Sequence, residues 1–369
     1  MHAPADYRSH LLTLAKCLGI VACLYLFIVG IGGMSHAFKL FGKEFSDGIL
    51  KTTSSPFVGL FIGILATALV QSSSTTTAIV VGMVAAGAMT IGGAIPMIMG
   101  ANIGTTITNT LVSLGHVSRT DEFKRAFAAA TVHDFFNLLT VLVLFPLELA
   151  TGLLARLSTA LAGLFQGIGG MKMADPLKAA TKPAIEAISA LVAQQPVWIL
   201  IVSLLLTFAM LWGIGKILRS LILEKVERFF DEHLFKNAGR AMLFGLLLTV
   251  AVQSSSVTTS LIIPLAAAGV LRLNRIFPYT LGANVGTTAD TMLAALSTGS
   301  PAAVTVSFAH LLFNVLGIVI FWPVPRIRAI PIRLAEGLAE LAVRHRAIAF
   351  LYVVLTFFVI PLLLILIFK

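Results

Sequence analysis

A duplicated pair of polar motifs, set at a fixed interval, limits the folds open to this chain more than any other feature. Val70-Gln71-Ser72-Ser73-Ser74-Thr75-Thr76-Thr77 returns as Val252-Gln253-Ser254-Ser255-Ser256-Val257-Thr258-Thr259, with seven of eight positions identical. Gly100-Ala101-Asn102-Ile103-Gly104-Thr105-Thr106 returns as Gly282-Ala283-Asn284-Val285-Gly286-Thr287-Thr288, with six of seven identical. Gln71 to Gln253 and Asn102 to Asn284 are both 182 positions apart. A third echo, His133…Phe136-Asn137 against His310…Phe313-Asn314, comes at 177, so the second copy has lost five residues. Ordered matches at one offset are an internal duplication.

The solvent follows from composition. The chain is 58% hydrophobic and 11% charged, where a soluble globular chain carries about 25% charged residues. That predicts an all-α polytopic membrane protein and excludes nearly every soluble enzyme fold. The apolar content allows roughly eight to ten membrane segments at about 20 residues each. Apolar runs lie near 11–34, 56–70, 75–114, 126–146, 196–214, 241–298, 304–324 and 347–368. Leu11 to Met34 is long enough to span, and no small-residue cleavage site follows a short core, so it reads as a first transmembrane helix rather than a removable signal. Cys17 and Cys23 sit six residues apart on that helix, on different faces, with no disulfide or zinc spacing.

The net charge of +10 belongs to loops held in the cytoplasm rather than to nucleic-acid binding. Three basic stretches set the orientation: Arg119, Lys124 and Arg125; Lys216, Arg219, Lys225, Arg228, Lys236 and Arg240; and Arg326, Arg328, Arg333, Arg344 and Arg346. With these inside, the N-terminus is cytoplasmic, and Lys39 to Lys51 and the 166–182 loop lie outside. If each Gln-Ser-Ser-Ser stretch is the tip of a re-entrant hairpin, the first enters from outside and the second from inside, an inverted-repeat arrangement. The expected divisions are 1–55 (first helix and outer loop), 56–146 (repeat 1: hairpin, broken helix, helix), 147–240 (linking segments), 241–324 (repeat 2) and 325–369 (basic amphipathic segment and last membrane helix). Segments 147–165, 183–195, 216–236 and 326–346 read as amphipathic and interfacial.

Polar breaks at membrane depth need a reason, because irregular backbone survives there only when buried in protein or lining a wet cavity. Broken helix ends present free N–H groups to anions and free carbonyls to small hard cations. Hydroxyls cap helices and donate to phosphate-like oxygens, and Gln and Asn amides both donate and accept. The motif glycines are expected to let the helix unwind toward a ligand. No Lys, Arg or Cys lies within the motifs. Hydroxyls, amides and carbonyls fit sodium with an oxyanion better than a transition metal. The hydroxyls and amides of these motifs include those of Ser72, Ser73, Ser74, Ser254, Ser255, Ser256, Asn102 and Asn284. Gln71, Gln253, Thr105, Thr106, Thr287, Thr288 and Asp290 supply further oxygens, and together these are the candidate substrate and sodium residues.

Asp290, whose repeat partner is Thr108, is an intramembrane carboxylate. It can ligate a cation, carry a proton or pair with a basic group. His133, Asp134 and His310 serve equally well as packing hydrogen-bond residues or as a proton relay. Asn137 and Asn314 read as interhelical hydrogen-bond residues, and Pro96, Pro146, Pro264 and Pro278 as kinks or segment ends. No nucleotide-binding loop or hydrolase motif occurs in a suitable context, and no motif requires an enzyme or an organic cofactor.

These residues resemble the type II sodium/phosphate cotransporters of solute carrier family 34 and their bacterial relatives. The duplicated Gln-Ser-Ser-Ser pair carries the resemblance, with Gly100 to Thr106 and Arg125-Ala126-Phe127…Thr131-Val132-His133-Asp134…Asn137. It covers about Pro56 to Pro146 and Ala241 to Trp322. The resemblance implies sodium-coupled uptake of inorganic phosphate by a homodimer in a bacterial inner (plasma) membrane. Substrate and sodium would lie between the two hairpins, with the six motif serines at phosphate. Gln253, Thr287 and Asp290 would contribute to one sodium site, with Gln71 near a second. Asp290 departs from the threonine run common in that family. A sodium-coupled carrier of sulfate or a dicarboxylate is the nearest rival, and an uncoupled phosphate channel or sensor a further one.

Overall fold

A computed structural model describes residues 4–229, 235 and 237–368, with the side chains of 1–11, 173–175, 218–234, 236 and 369 left aside. Arg219, Lys225, Arg228 and Lys236, which were read as cytoplasmic loop charges, therefore lie outside the described side chains. Among the described residues the chain is helical and has no strand. In order the helices are α1 (Pro4–Leu40), α2 (Lys43–Thr52), α3 (Pro56–Val70), α4 (Ser73–Ala86), α5 (Ile91–Gly104), α6 (Ile107–Leu114), α7 (Thr120–Thr151), α8 (Leu153–Gly167), α9 (Ala174–Leu191) and α10 (Pro196–Phe229). The second half follows with α11 (Ala238–Val252), α12 (Ser255–Ser260), α13 (Ile263–Ala267), α14 (Leu273–Gly286), α15 (Thr288–Thr298), α16 (Pro301–Phe321), α17 (Pro325–Arg344) and α18 (Ala347–Phe368), the last with a π-turn at Leu355–Val359.

Five of these helices are long and apolar enough to cross a membrane: α1, α7, α10, α16 and α18. The remaining apolar sequence is spent on half-length helices, which is why a count at 20 residues per crossing overestimates the spans. Large apolar side chains face outward on the long helices, among them Leu18, Leu142, Leu205 and Leu366, as a lipid-facing surface requires. Helix α10 continues to Phe229 with no Pro to stop it, so the segment expected to start a separate amphipathic helix at 216 extends this one as far as it is described. Helix α7 likewise continues through Pro146 and ends at Gly152, whose φ of +63° stops it.

The two motif-bearing units share a packing pattern. Helix α3 lies along α5 so closely that a Cβ at Gly100 would collide with the Leu60 carbonyl, and one at Gly63 with the Met97 carbonyl. Helix α11 lies along α14 in the same way, with Gly282 against the Met242 carbonyl and Gly245 against that of Tyr279. Gly104 and Gly286 would place a Cβ 2.7 Å from the carbonyls of Ile64 and Leu246. Every partner in one unit is the 182-residue equivalent of its partner in the other. The motif glycines therefore bring helix backbones together, where unwinding toward a ligand was expected. Helices α5 and α14 stay helical through the motif and break only after Gly104 and Gly286.

Helices α1 and α10 form an antiparallel pair beside these units. Gly30 meets Thr207, Gly33 meets Ser203, Cys23 meets Gly213 and Gly19 meets Ile217. Small residues on α1 allow that approach. Cys17 and Cys23 are both free thiols.

Candidate functional site

Each hairpin tip is a two-residue break with the same backbone. Helix α3 ends on Gln71 in the left-handed region, φ 54° and ψ 27°, and Ser72 then turns extended at φ −148°. Helix α11 ends on Gln253 at φ 56° and ψ 30°, and Ser254 follows at φ −160°. The Thr75 N–H donates to Ser72 Oγ at 3.2 Å and the Val257 N–H to Ser254 Oγ at 3.3 Å, so each serine caps the returning helix. A residue other than Gly costs roughly 1–2 kcal/mol in the left-handed region. Both tips keep glutamine there. Gln253 Nε2 donates to the Val250 carbonyl at 3.1 Å, and its buried Oε1 has no partner.

The two tips face one cavity of about 660 Å³, which receives Gln71, Ser72 and Thr75 from the first unit and Gln253, Ser254 and Val257 from the second. Its far wall is one face of α10: Phe208, Leu211, Trp212, Gly215 and Lys216. Ser72 and Ser254 reach this space, and so do Gln71 and Gln253. Candidate substrate and cation residues at the tips thus share one chamber.

The other serines are engaged deeper in the protein. Ser73 and Ser255 are buried in the first turns of α4 and α12. Ser74 Oγ donates to Asp290 Oδ2 at 2.6 Å, tying the first tip to α15 of the second unit. Asp290 is 1% exposed and its Oδ1 has no partner. Ser256 Oγ donates to the Thr105 carbonyl at 3.4 Å, which ties the second tip to the break after α5. The threonine hydroxyls at both breaks bond back to their own helices: Thr105 to Ala101, Thr106 to Ile103, Thr287 to Ala283 and Thr288 to Val285. A donating hydroxyl keeps its lone pairs for a cation.

Asn102 and Asn284 lie away from the tip cavity, in a buried polar core. Asn137 Nδ2 donates to the Asn102 carbonyl at 2.7 Å, and Asn284 Nδ2 donates to Asn137 Oδ1 at 2.8 Å. His310 bridges Thr291 Oγ1 (2.9 Å) and Asn102 Oδ1 (3.3 Å). Asn314 bonds within its own helix, to the His310 carbonyl. Asp134 is fully buried in α7 and receives Tyr352 Oη at 2.9 Å from α18 and Thr110 Oγ1 at 3.4 Å.

Two further pairs cross between the units in exchanged register. Asn109 Nδ2 donates to Thr259 Oγ1 at 2.7 Å, and Ser260 Oγ returns a bond to Asn109 Oδ1 at 2.9 Å. Thr291 Oγ1 donates to Thr77 Oγ1 at 3.2 Å. Thr77 is the equivalent of Thr259, and Asn109 of Thr291. Each hairpin therefore bonds to the other unit's helix after the break, as an approximate two-fold relation demands.

The sequence did not single out Asn109, Tyr352 or Trp212, and it read Lys216 only as a cytoplasmic loop charge. Asn109 was available by carrying the 182-residue offset past the motif. Tyr352 had no such signal, and the apolar run of α10 has no periodicity from which its cavity face could be read. Among the described residues no group of three His, Cys, Asp or Glu is placed to hold a metal ion. Sodium bound by hydroxyl, amide and carbonyl oxygens needs no such group.

Membrane-length helices surrounding two capped polar tips that share a chamber define a polytopic membrane protein with an internal site. The family model for the Na+/Pi-cotransporter matches residues 26–173 and 205–330, and the chain belongs to that family. It is 35% identical to sodium-dependent phosphate transport protein 2A of Ovis aries, over 95% of this chain and 67% of that protein. It is 33% identical to sodium-dependent phosphate transport protein 2B of Pongo abelii, over 97% of this chain and 66% of the relative. The corresponding figures for 2B of Homo sapiens are 33%, 95% and 64%. The chain thus spans about two thirds of the length of these relatives. No solved structure matches it.

Proposed function

We propose that this chain couples sodium entry to the uptake of inorganic phosphate by alternating access, as a multi-pass protein of a bacterial plasma membrane and as a homodimer. The observation that carries the reading is the shared chamber: two identically capped tips, one from each repeat, meet at one cavity. Ser72 and Ser254 offer hydroxyls there, and the first turn of α4 offers free N–H groups to an oxyanion. Gln71 and Gln253 offer amide oxygens to a cation. Asp290, with one carboxylate oxygen unpartnered, and the threonines after Gly104 and Gly286 complete the coupling set. The proposed units are 56–146 and 241–324, entering from opposite sides.

Sodium bound to these oxygens makes phosphate binding favourable, and a filled site lets one bundle move against the other. Half-filled sites leave charge uncompensated at membrane depth, which opposes leak. The names of the relatives support sodium and phosphate as the transported pair. No part of the reading requires catalysis or an organic cofactor.

The test is labelled-phosphate uptake into proteoliposomes under an inward sodium gradient, with potassium or choline as replacement. Sodium-dependent uptake that arsenate inhibits and succinate does not, and that Gln253→Ala abolishes, is the expected result. Uptake without sodium would overturn the coupling and turn attention to proton transfer at Asp290, whose unpartnered oxygen suits a proton equally. No phosphate uptake by folded protein would make phosphate the wrong substrate.

A further inference from the structure

We propose that Lys216 is a specificity-determining residue of the tip cavity, supplying a fixed positive charge to the bound oxyanion. This rests on the transport reading above and adds a group from outside both repeats. The motifs contain no cation. Hydroxyls, amides and helix N–H groups hold phosphate oxygens but do not balance its charge. The tertiary structure brings the missing charge from α10. Lys216 lines the same cavity as Gln71, Ser72, Gln253 and Ser254, and among the described residues it is the sole ionisable one of that lining.

The placement follows from helical spacing. Residues 208, 211, 212, 215 and 216 fall on one face of α10, at intervals of three and four. The opposite face is anchored to α1 through Ser203, Thr207, Gly213 and Ile217, which fixes the rotation of α10 about its axis. Within the cavity face, Phe208, Leu211 and Gly215 are uncharged, so the wall beside the ammonium is of low polarity. Lys216 Nζ lies 4.9 Å from the centre of the Trp212 ring, one turn earlier. That cation–π contact holds the ammonium along the wall. Lys216 and Trp212 are both exposed, so the ammonium acts from the open rim of the cavity, where salt screens it.

The position on α10 adds a direction. The membrane-length part of α10 is Pro196–Ile217, so Lys216 stands at its far end, which the basic-loop orientation puts toward the cytoplasm. Lys216 therefore faces the oxyanion from the inner side of the tips. It attracts doubly charged phosphate more strongly than the singly charged form, and it does so whether or not sodium is bound.

The experiment uses the full-length protein in proteoliposomes and compares wild type with Lys216→Met and Lys216→Arg. Lys216→Met is expected to raise the phosphate KM about tenfold or more, leave the sodium half-activation concentration within about twofold, and flatten the rise of KM with ionic strength. Lys216→Arg is expected to stay within about threefold of wild type. A companion variant, Lys216→Cys with Cys17 and Cys23 replaced by Ala, separates charge from packing. An aminoethyl methanethiosulfonate reagent should restore a low KM, and a sulfonatoethyl reagent should raise it further. Unchanged phosphate KM in a transporting Lys216→Met protein, or equal effects of the two reagents, would overturn the assignment and leave Lys216 as an interfacial anchor of α10. If Lys216→Met does not fold, the reagent pair on Lys216→Cys decides alone. Failure of wild type itself to take up phosphate under a sodium gradient would reject the transport reading, a result distinct from any of these.

Discussion

The two repeats have nearly the same backbone and different charges. Gln71 and Gln253 differ by 2° in φ, their following serines cap in the same way, and the glycine contacts correspond pair by pair. Yet the buried carboxylates do not correspond. Repeat 2 holds Asp290 where repeat 1 has Thr108, and repeat 1 holds Asp134 where repeat 2 has Leu311. The duplication thus preserved what packing requires and let ionisable groups diverge. Backbone contact leaves no tolerance, whereas a buried carboxylate is tolerated only where donors receive it. Asp290 has Ser74 from the other repeat, and Asp134 has Tyr352 from α18, an element outside both.

Breaking the shared part should give the largest effect. Gly100→Ala and Gly282→Ala each force a methyl into a neighbouring carbonyl, and each should cost about 3 kcal/mol. Thermal unfolding of the detergent-solubilised protein should fall similarly for both. A loss confined to one would show that the two helix pairs do not carry equal weight.

Next comes the divergent part. Asp290→Thr makes repeat 2 resemble repeat 1 at this position. It should raise the sodium half-activation concentration about tenfold, the equivalent of about 1.4 kcal/mol, while the protein remains folded. An unchanged sodium dependence would remove Asp290 from the cation set. Leu311→Asp, the converse change, introduces a carboxylate with no evolved donor and should reduce the yield of folded protein.

The exchanged hydrogen bonds should respond unequally. Asn109→Ala removes two bonds between the units and leaves a cavity, while Thr259 and Ser260 keep their bonds to the Ser255 and Ser256 carbonyls, and it should cost about 2 kcal/mol. Thr291→Val loses one bond to Thr77 and one to His310, with little change of volume, and should cost about 1 kcal/mol. Equal losses would mean the two-fold relation distributes load evenly despite the different side chains. The smallest expected change is at the caps. Ser72→Ala and Ser254→Ala should each lower stability by about 1 kcal/mol, by matching amounts. A much larger effect on phosphate KM than on stability would separate their binding role from their capping role.

Much of the architecture was legible in the residues. The duplication, the all-helical membrane class and the breaks at Gln71 and Gln253 all follow from local patterns: a repeated string, a shortage of charge, and hydroxyl-capped interruptions between apolar runs. The length of α10 was not legible, because hydropathy falls after Lys216 while nothing stops the helix. The role of the glycines was misjudged for a related reason. A glycine that permits a left-handed turn and one that permits helix contact look alike in sequence, and only the neighbouring carbonyl distinguishes them.

The sequence by itself determined that this protein is two similar units in a membrane, each with a polar break bearing Gln-Ser-Ser-Ser. Tertiary structure decided which polar groups meet. Ser74 reaches Asp290 across 216 positions, and Asn109 reaches Thr259 across 150. It also decided that Asn102 and Asn284 belong to an internal hydrogen-bond core and that Lys216 faces the tips. Local pattern encodes the period and polarity of one element, but the rotation of each helix about its axis is fixed by contacts with distant neighbours. That rotation selects the side chains that line the chamber.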